Sequence, residues 1–102
     1  MKDINEYQKF ASEAIRPESD GKNPLVHFSL GMAGECGEIC NDVKKRVYHG
    51  RVDEVSLDDI GDECGDVLWY LANVATSIGW TLEDVIDHNI DKLKKRYEKL
   101  YK

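Results

Sequence analysis

Acidic side chains occur in two closely spaced pairs along this chain of 102 residues. Glu35 and Glu38 form the first pair, and Glu63 and Asp66 form the second. Residues that are three or four positions apart lie on one side of a helix, where like carboxylates repel each other. Carboxylate oxygens are hard ligands that suit Mg²⁺ or Mn²⁺. The spacing therefore predicts a divalent cation between two helices, where it would remove the repulsion.

The surroundings of the two pairs favour a site over a chance pattern. Because 33% of the residues are charged, single pairs of this kind also arise by chance on solvated helix faces. Here Glu63 borders a predicted apolar stripe of its helix, which consists of Ile60, Cys64, Val67, Leu71, Val74 and Ile78. The first pair lies among Gly31, Gly34 and Gly37. Each glycine costs a helix about 0.8–1 kcal/mol relative to alanine. We therefore expect a neighbouring helix or a ligand to approach the backbone closely there.

A helical wheel places Glu35, Glu38 and Asp42 within about 60° of one another. They border a predicted apolar face of the same helix, which consists of Ala33, Cys36, Cys40, Val43 and Val47.

The last helical segment carries a possible strip of phosphate ligands. Asn89 falls within a predicted apolar stripe made by Leu82, Ile86, Leu93 and Leu100. Lys92 and Arg96 follow Asn89 after three and seven residues, so the three side chains could present donors to phosphate oxygens. The alternative interpretation is a structural asparagine beside two ordinary surface cations.

Helix start and stop signals divide the chain into four segments. Capping residues or a proline precede each apolar periodic run, and a proline or a glycine follows the first three. No run alternates as a strand would. We predict one all-α domain over residues 1–102, resembling a four-helix bundle, with helices from Ile4 to about Arg16, Pro24 to about Tyr48, Ser56 to Gly79, and Thr81 almost to the C-terminus.

Composition excludes several classes of protein. A net charge of -6 disfavours binding to nucleic acid through its phosphates. No apolar run is long enough to cross a membrane, and the first residues lack the apolar core of a signal peptide, so we expect a cytoplasmic protein. The three cysteines form no disulfide framework or zinc motif and are predicted to be small core residues. Trp69 lies opposite the apolar stripe of its helix, so we expect it to be exposed in a monomer and to mark an interface.

Taken together, the segments GMAGECGEICNDVKK, DECGDVLWYL and NIDKLKKRY resemble the MazG-like nucleotide pyrophosphohydrolases of the all-α NTP pyrophosphatase superfamily. The hallmark is an ExxE pair followed by an ExxD pair, here Glu35 with Glu38 and, after 24 residues, Glu63 with Asp66. Many members have one more glutamate beside the first pair, where this chain has Gly34.

This resemblance implies hydrolysis of a nucleoside triphosphate to a monophosphate and pyrophosphate, by a metal-activated water that attacks the triphosphate chain. It implies Mg²⁺, with Mn²⁺ as a substitute, on Glu35, Glu38, Glu63 and Asp66. Glu38 and Glu63 would be catalytic, and Asn89, Lys92 and Arg96 would contact phosphate oxygens. The family resemblance also implies a homodimer or homotetramer. Two alternatives stay open at this point: hydrolysis of a related metabolite such as phosphoribosyl-ATP, and a non-catalytic helical module that binds metal or a partner.

Overall fold

The computed structural model describes residues 3–15 and 23–101. This part of the chain consists of helices, turns and loops, without a strand. The helices are α1 (Ile4–Ser12), α2 (Pro24–Val43), α3 (Leu57–Ser77) and α4 (Leu82–Arg96), and a π-helical turn (Lys44–Tyr48) continues α2. The predicted all-α class is confirmed.

Local side-chain hydrogen bonds start the helices where the sequence indicates. Asn23 accepts the backbone N–H of Val26, and Pro24 occupies the first turn of α2. Capping boxes start α3 at Ser56 and α4 at Thr81, each with an aspartate three residues later that accepts the cap's own backbone N–H. These contacts satisfy donors that a helix N-terminus otherwise leaves unpaired.

Glycines in the left-handed region follow the second and third helical segments. Gly50 has a φ of 66° and Gly79 a φ of 79°, values that residues with a Cβ rarely adopt. They lie at the two stop positions predicted from the sequence.

Two helix ends differ from the prediction. α1 ends at Ser12 rather than near Arg16, which lies outside the described residues together with most of the polar segment before α2. α4 ends at Arg96, because the Tyr97 carbonyl accepts the N–H groups of Leu100 and Tyr101 in a turn. This turn brings Tyr101 beside Ile90 and Leu93 rather than extending the helix.

The core lies where α1 crosses α3 and the start of α4. Its buried members are Ala11, Ala72, Ala75 and Leu82. Alanines at this crossing let two helix backbones approach closely. Larger side chains surround the alanines and are partly buried against them: Ile4, Tyr7, Trp69, Leu71 and Val85.

Gln8 of α1 ties the core together through three hydrogen bonds. Its Nε2 donates to Thr76 Oγ1 at 3.0 Å and to the Trp80 carbonyl at 2.9 Å. Its Oε1 accepts the backbone N–H of Leu82 at 2.7 Å. The amide thereby fixes α1 against the turn that joins α3 to α4.

Trp69 is not exposed, contrary to the prediction. The indole is partly buried against the core, and its ring meets Phe28 of α2 edge to face at 5.6 Å between centroids. The reason is that α3 packs against more than one helix: against α2 and α1 and, to a smaller extent, against α4. The fully buried residues of α3, Ala72 and Asn73 among them, consequently lie off the predicted stripe, whose Cys64 and Ile78 are exposed.

The apolar face predicted for α2 is also exposed. Val43 and Val47 are 39% and 74% exposed, and the three cysteines are exposed and free, so they are not core residues. The side of α2 that is buried or half-buried runs instead through Phe28, Gly31, Met32, Glu35, Ile39 and Asp42. The acidic side of α2, rather than its apolar side, therefore faces α3.

One of the three spaced glycines has the close neighbour that the sequence predicts. A Cβ on Gly31 would lie less than 3.0 Å from three ring carbons of Tyr70 on α3. A Cβ added to Gly34 or Gly37 would have no atom of another part of the chain within 4 Å. The expectation of close approach is thus confirmed at Gly31 and finds no partner within the chain at the other two positions.

Candidate metal centre between the second and third helices

α2 and α3 run antiparallel, with an aromatic end and an acidic end. Near the start of α2, Phe28 and Gly31 meet Trp69 and Tyr70 of α3. Further along α2, its carboxylates come opposite Glu63, an earlier residue of α3. Phe28 is 1% exposed and Tyr70 lies over Gly31, so these contacts fix the register that brings the acidic residues together.

Glu63 is the central residue of the acidic end. Its pKa is raised to about 7, and the first cause is Asp42, whose carboxyl can hydrogen-bond to Glu63 only when the pair holds a proton. Partial burial of Glu63 and the negative charges of Asp42, Glu38 and Glu35 raise the pKa further. The structure therefore brings three carboxylates of α2 within electrostatic reach of one carboxylate of α3.

No counter-charge from the described residues compensates this group. The Oε2 atom of Glu63 is buried and has no hydrogen-bond partner. In residues 3–15 and 23–101 the ion pair that forms is Arg51 with Glu54, which lies outside the cluster. A buried oxygen without a partner is costly unless a proton or a cation satisfies it.

These residues fit a hard divalent cation by their chemistry. The orphaned oxygen of Glu63 and the nearby carboxylates of α2 supply oxygen donors only, as Mg²⁺ and Mn²⁺ prefer. As the side chains stand, no three acidic, histidine or cysteine residues of the described part converge on one ion. Glu35, Glu38 and Glu63 are the family-motif residues that would move onto it.

Asp66, the fourth predicted ligand, has a different setting. It is exposed, one helical turn beyond Glu63. Its negative charge helps to raise the pKa of Tyr7 on α1, after the larger effect of the burial of Tyr7. The structure thus groups Glu63 with Glu35 and Glu38, whereas the charge of Asp66 also acts toward α1.

The predicted phosphate strip lies away from this cluster. Asn89, Lys92 and Arg96 are all exposed, so Asn89 does not occupy a core position as the sequence suggested. α4 packs against α1 and α3 and makes no contact with α2 in the described residues. Its packing depends on Leu82 and Val85 near its start, while Ile86 and Leu100 of the predicted stripe are 42% and 74% exposed.

Two residues that the sequence patterns do not mark as site residues stand out in the structure. Asp42 lies on the acidic side of α2, outside both acidic pairs, and is the carboxylate with the largest effect on Glu63. Asn73 is fully buried, and neither atom of its amide has a hydrogen-bond partner. A polar residue between Ala72 and Val74 was the available signal for Asn73, and the helical wheel did not use it.

Comparison with known proteins assigns this arrangement to a family. The profile of the MazG nucleotide pyrophosphohydrolase domain matches residues 27–101, which include most of α2, all of α3 and α4, and both acidic pairs. The chain belongs to the MazG family. A curated relative of this MazG domain is the Gene 37 protein of Mycobacterium phage L5, which is 36% identical over 94% of this chain and 90% of the phage protein. No solved structure gives a significant match.

Membership of the MazG family supports nucleotide pyrophosphohydrolase activity in general for this domain. It also confirms the family resemblance predicted from the sequence. Among its described helices, none combines the length and the apolar character that crossing a bilayer requires.

Proposed function

We propose that this MazG domain hydrolyses nucleoside triphosphates to nucleoside monophosphate and pyrophosphate, using Mg²⁺ or, in its place, Mn²⁺. The observation that carries the proposal is Glu63. It belongs to the second acidic pair of the family motif, has a buried oxygen without a partner, and faces the acidic side of α2. Within the described residues the partly buried carboxylates lack a counter-charge, and a cation bound with its triphosphate would provide one.

In this proposal Glu35, Glu38, Glu63 and Asp66 hold the cation. When bound, it neutralises phosphate charge and makes a water molecule more acidic. Glu63 is half-buried and acts mainly as a fixed ligand, whereas Glu38 is exposed at the edge of the cluster. Glu38 is therefore the residue that water can reach, and we assign it the role of orienting the attacking water and accepting its proton.

Asn89, Lys92 and Arg96 are proposed to bind the phosphates from a second copy of the chain. In one chain α4 does not contact α2, so these exposed side chains need another route to the cluster. An apolar groove of about 600 Å³ on α2 supports association. It is lined by Ile39, Cys40, Val43, Lys44, Val47 and Tyr48. We propose a homodimer or homotetramer, in which this groove is covered.

The overall shape agrees with association. The Cα radius of gyration is 16.4 Å, whereas a compact domain of about 100 residues has a value of about 13 Å. Two expectations from composition remain part of the proposal: the acidic chain does not bind nucleic acid, and its three free thiols suit the reducing cytoplasm.

The test is release of pyrophosphate and monophosphate from a panel of ribo- and deoxyribonucleoside triphosphates, with Mg²⁺, Mn²⁺ or EDTA. Glu38→Gln should abolish the metal-dependent products, and the exposed Glu98→Gln should not. Phosphoribosyl-ATP is included as a competing substrate. Metal-linked stabilisation without any product would contradict the proposal and favour a non-catalytic module.

A mixing experiment tests the shared site. Glu38→Gln and Arg96→Ala are each expected to be inactive alone. Glu38→Gln removes a carboxylate of the acidic cluster, and Arg96→Ala removes a proposed phosphate ligand. If α4 of one copy serves the cluster of another, mixed oligomers contain some intact sites and recover part of the activity. Inactive mixtures with demonstrated subunit exchange would show that each chain uses its own α4.

A further inference from the structure

We propose that Asp42 is an additional ligand of the divalent cation, opposite Glu63 and outside both acidic pairs of the family motif. The inference rests on the proposed metal site and extends it to a residue that the motif does not include. Its grounds are the position of Asp42 on α2, the residue that it faces, and the lack of a counter-charge among residues 3–15 and 23–101.

Asp42 lies on the side of α2 that faces α3. It follows Glu35 by seven residues, which returns it to nearly the same direction on a helix. Both side chains are half-buried, whereas Cys40, Asn41 and Val43 around Asp42 are exposed. Glu38 is exposed as well, so burial places Asp42 deeper between the helices than the second glutamate of the family's first pair.

Asp42 is also the carboxylate of α2 that acts most strongly on Glu63, ahead of Glu38 and Glu35. The orphaned Oε2 of Glu63 lies in the same interface. Ile39, on the same side of α2 one turn earlier, shows that an apolar side chain is accommodated there. A carboxylate at position 42 thus brings repulsion that an apolar residue would avoid.

The cationic side chains in the described part of the chain do not offset this repulsion. Lys45 is half-buried one turn after Asp42 but forms no ion pair with it in the described residues. Two groups of different chemistry could join Asp42 to Glu63, a shared proton or a divalent cation. The cation is favoured because the interface already has other acidic groups, Glu35 and Glu38, that one proton leaves charged.

The experiment is a calorimetric titration with Mn²⁺ alone on four forms of the full chain: wild type, Asp42→Asn, Asp42→Glu and the exposed control Glu98→Gln. Loss of a ligand should weaken Mn²⁺ binding by about tenfold or more in Asp42→Asn. Asp42→Glu keeps a carboxylate and should bind more tightly than Asp42→Asn. Glu98→Gln should bind as the wild type does. Metal-free Asp42→Asn should melt at the same or a higher temperature, because repulsion with Glu63 is removed.

The outcomes separate the two proposals. If Asp42→Asn binds Mn²⁺ as tightly as the wild type, or if the wild type binds none, Asp42 is not a ligand. If metal-free Asp42→Asn unfolds more easily and its Mn²⁺ affinity is unchanged, Asp42 is a structural residue that shares a proton with Glu63. If Asp42 proves necessary for tight Mn²⁺ binding but no nucleotide is cleaved by the wild type, the metal ligand stands and the proposed reaction fails.

Discussion

Gln8 and Glu63 are polar side chains enclosed between helices, but their surroundings differ. Gln8, 9% exposed, satisfies its amide with three hydrogen bonds to α3, the following turn and α4. Glu63 has a buried oxygen without a partner and faces other acidic groups. Burial of either polar side chain is unfavourable, but at Gln8 hydrogen bonds within the chain compensate for the lost contact with water.

The difference separates a structural polar residue from a functional one. A side chain that is fully satisfied by its own chain contributes to stability and needs nothing else. A side chain that is buried, repelled and unsatisfied keeps its place only if something outside the chain compensates it. Mutations in the core around Gln8 and at the acidic end of the α2–α3 pair should therefore change stability in opposite directions.

The largest expected effect is at the acidic end. Glu63→Gln keeps the size of the side chain but removes a metal charge, so turnover should fall by about 100-fold or more. Metal-free stability should stay unchanged or rise, because the amide is not repelled by Asp42. Turnover assays and thermal melting with and without Mg²⁺ measure both quantities. Normal turnover in this variant and in Glu38→Gln would remove the proposed site.

Loss of stability is expected instead in the core around Gln8. Gln8→Ala leaves the Leu82 N–H and the Trp80 carbonyl without their partner, which should lower the free energy of unfolding by about 2–4 kcal/mol. The loss should be the same with and without Mg²⁺. Chemical denaturation beside the exposed control Lys9→Ala checks it. A loss below that of the control would mean that water replaces the amide at no cost.

A smaller pair of effects separates the three glycines of α2. Gly31→Ala should destabilise the protein by about 1–3 kcal/mol, because the new methyl group meets the Tyr70 ring. Gly34→Ala has open space and should instead stabilise it by up to about 1 kcal/mol through helix propensity. Melting of the two variants side by side compares them. Equal shifts would show that the Tyr70 ring moves away freely.

The smallest effect concerns the cap of α4 and its dependence on pH. The Thr81 backbone N–H donates to the Asp84 carboxylate, and this hydrogen bond, followed by the interaction with the Thr81 side chain, lowers the pKa of Asp84 below its usual 3.8. Since the folded state prefers the charged form, its contribution to stability is present above pH 3.8 and is lost as the pH falls through the lowered pKa. The melting difference between wild type and Asp84→Asn should therefore shrink on acidification. A difference that is constant from pH 6 to pH 3 would contradict this account.

The sequence predicted those parts of the fold that depend on local contacts. The caps at Asn23, Ser56 and Thr81 and the glycines at 50 and 79 act on residues within a few positions, so their sites were readable. The exposed apolar face of α2 and the partial burial of Trp69 were not readable. They depend on how many neighbours each helix has, and a helical wheel treats every helix as having one apolar side.

The candidate site divides in the same way. Spacing alone located Glu35, Glu38 and Glu63, and it also placed Asp42 on the same side of α2. Which of these carboxylates faces Glu63 depends on the register between α2 and α3, and that register is fixed at a distance by Tyr70 against Gly31 and by Phe28. The full burial of Asn73 could not be predicted, because it depends on how the other helices pack against α3.

The contacts of Gln8 also determine the order in which this molecule is completed. Its partners are residues 76, 80 and 82, so α1 has no binding site until residues 68 to 74 positions further along the chain have been synthesised. α2 and α3, which are close in sequence, can pair earlier, whereas docking of α1 must close a loop that spans both of them. Docking of α1 is therefore expected to be the last step of folding, and a chain that is truncated before Thr76 would lack all three partners of Gln8.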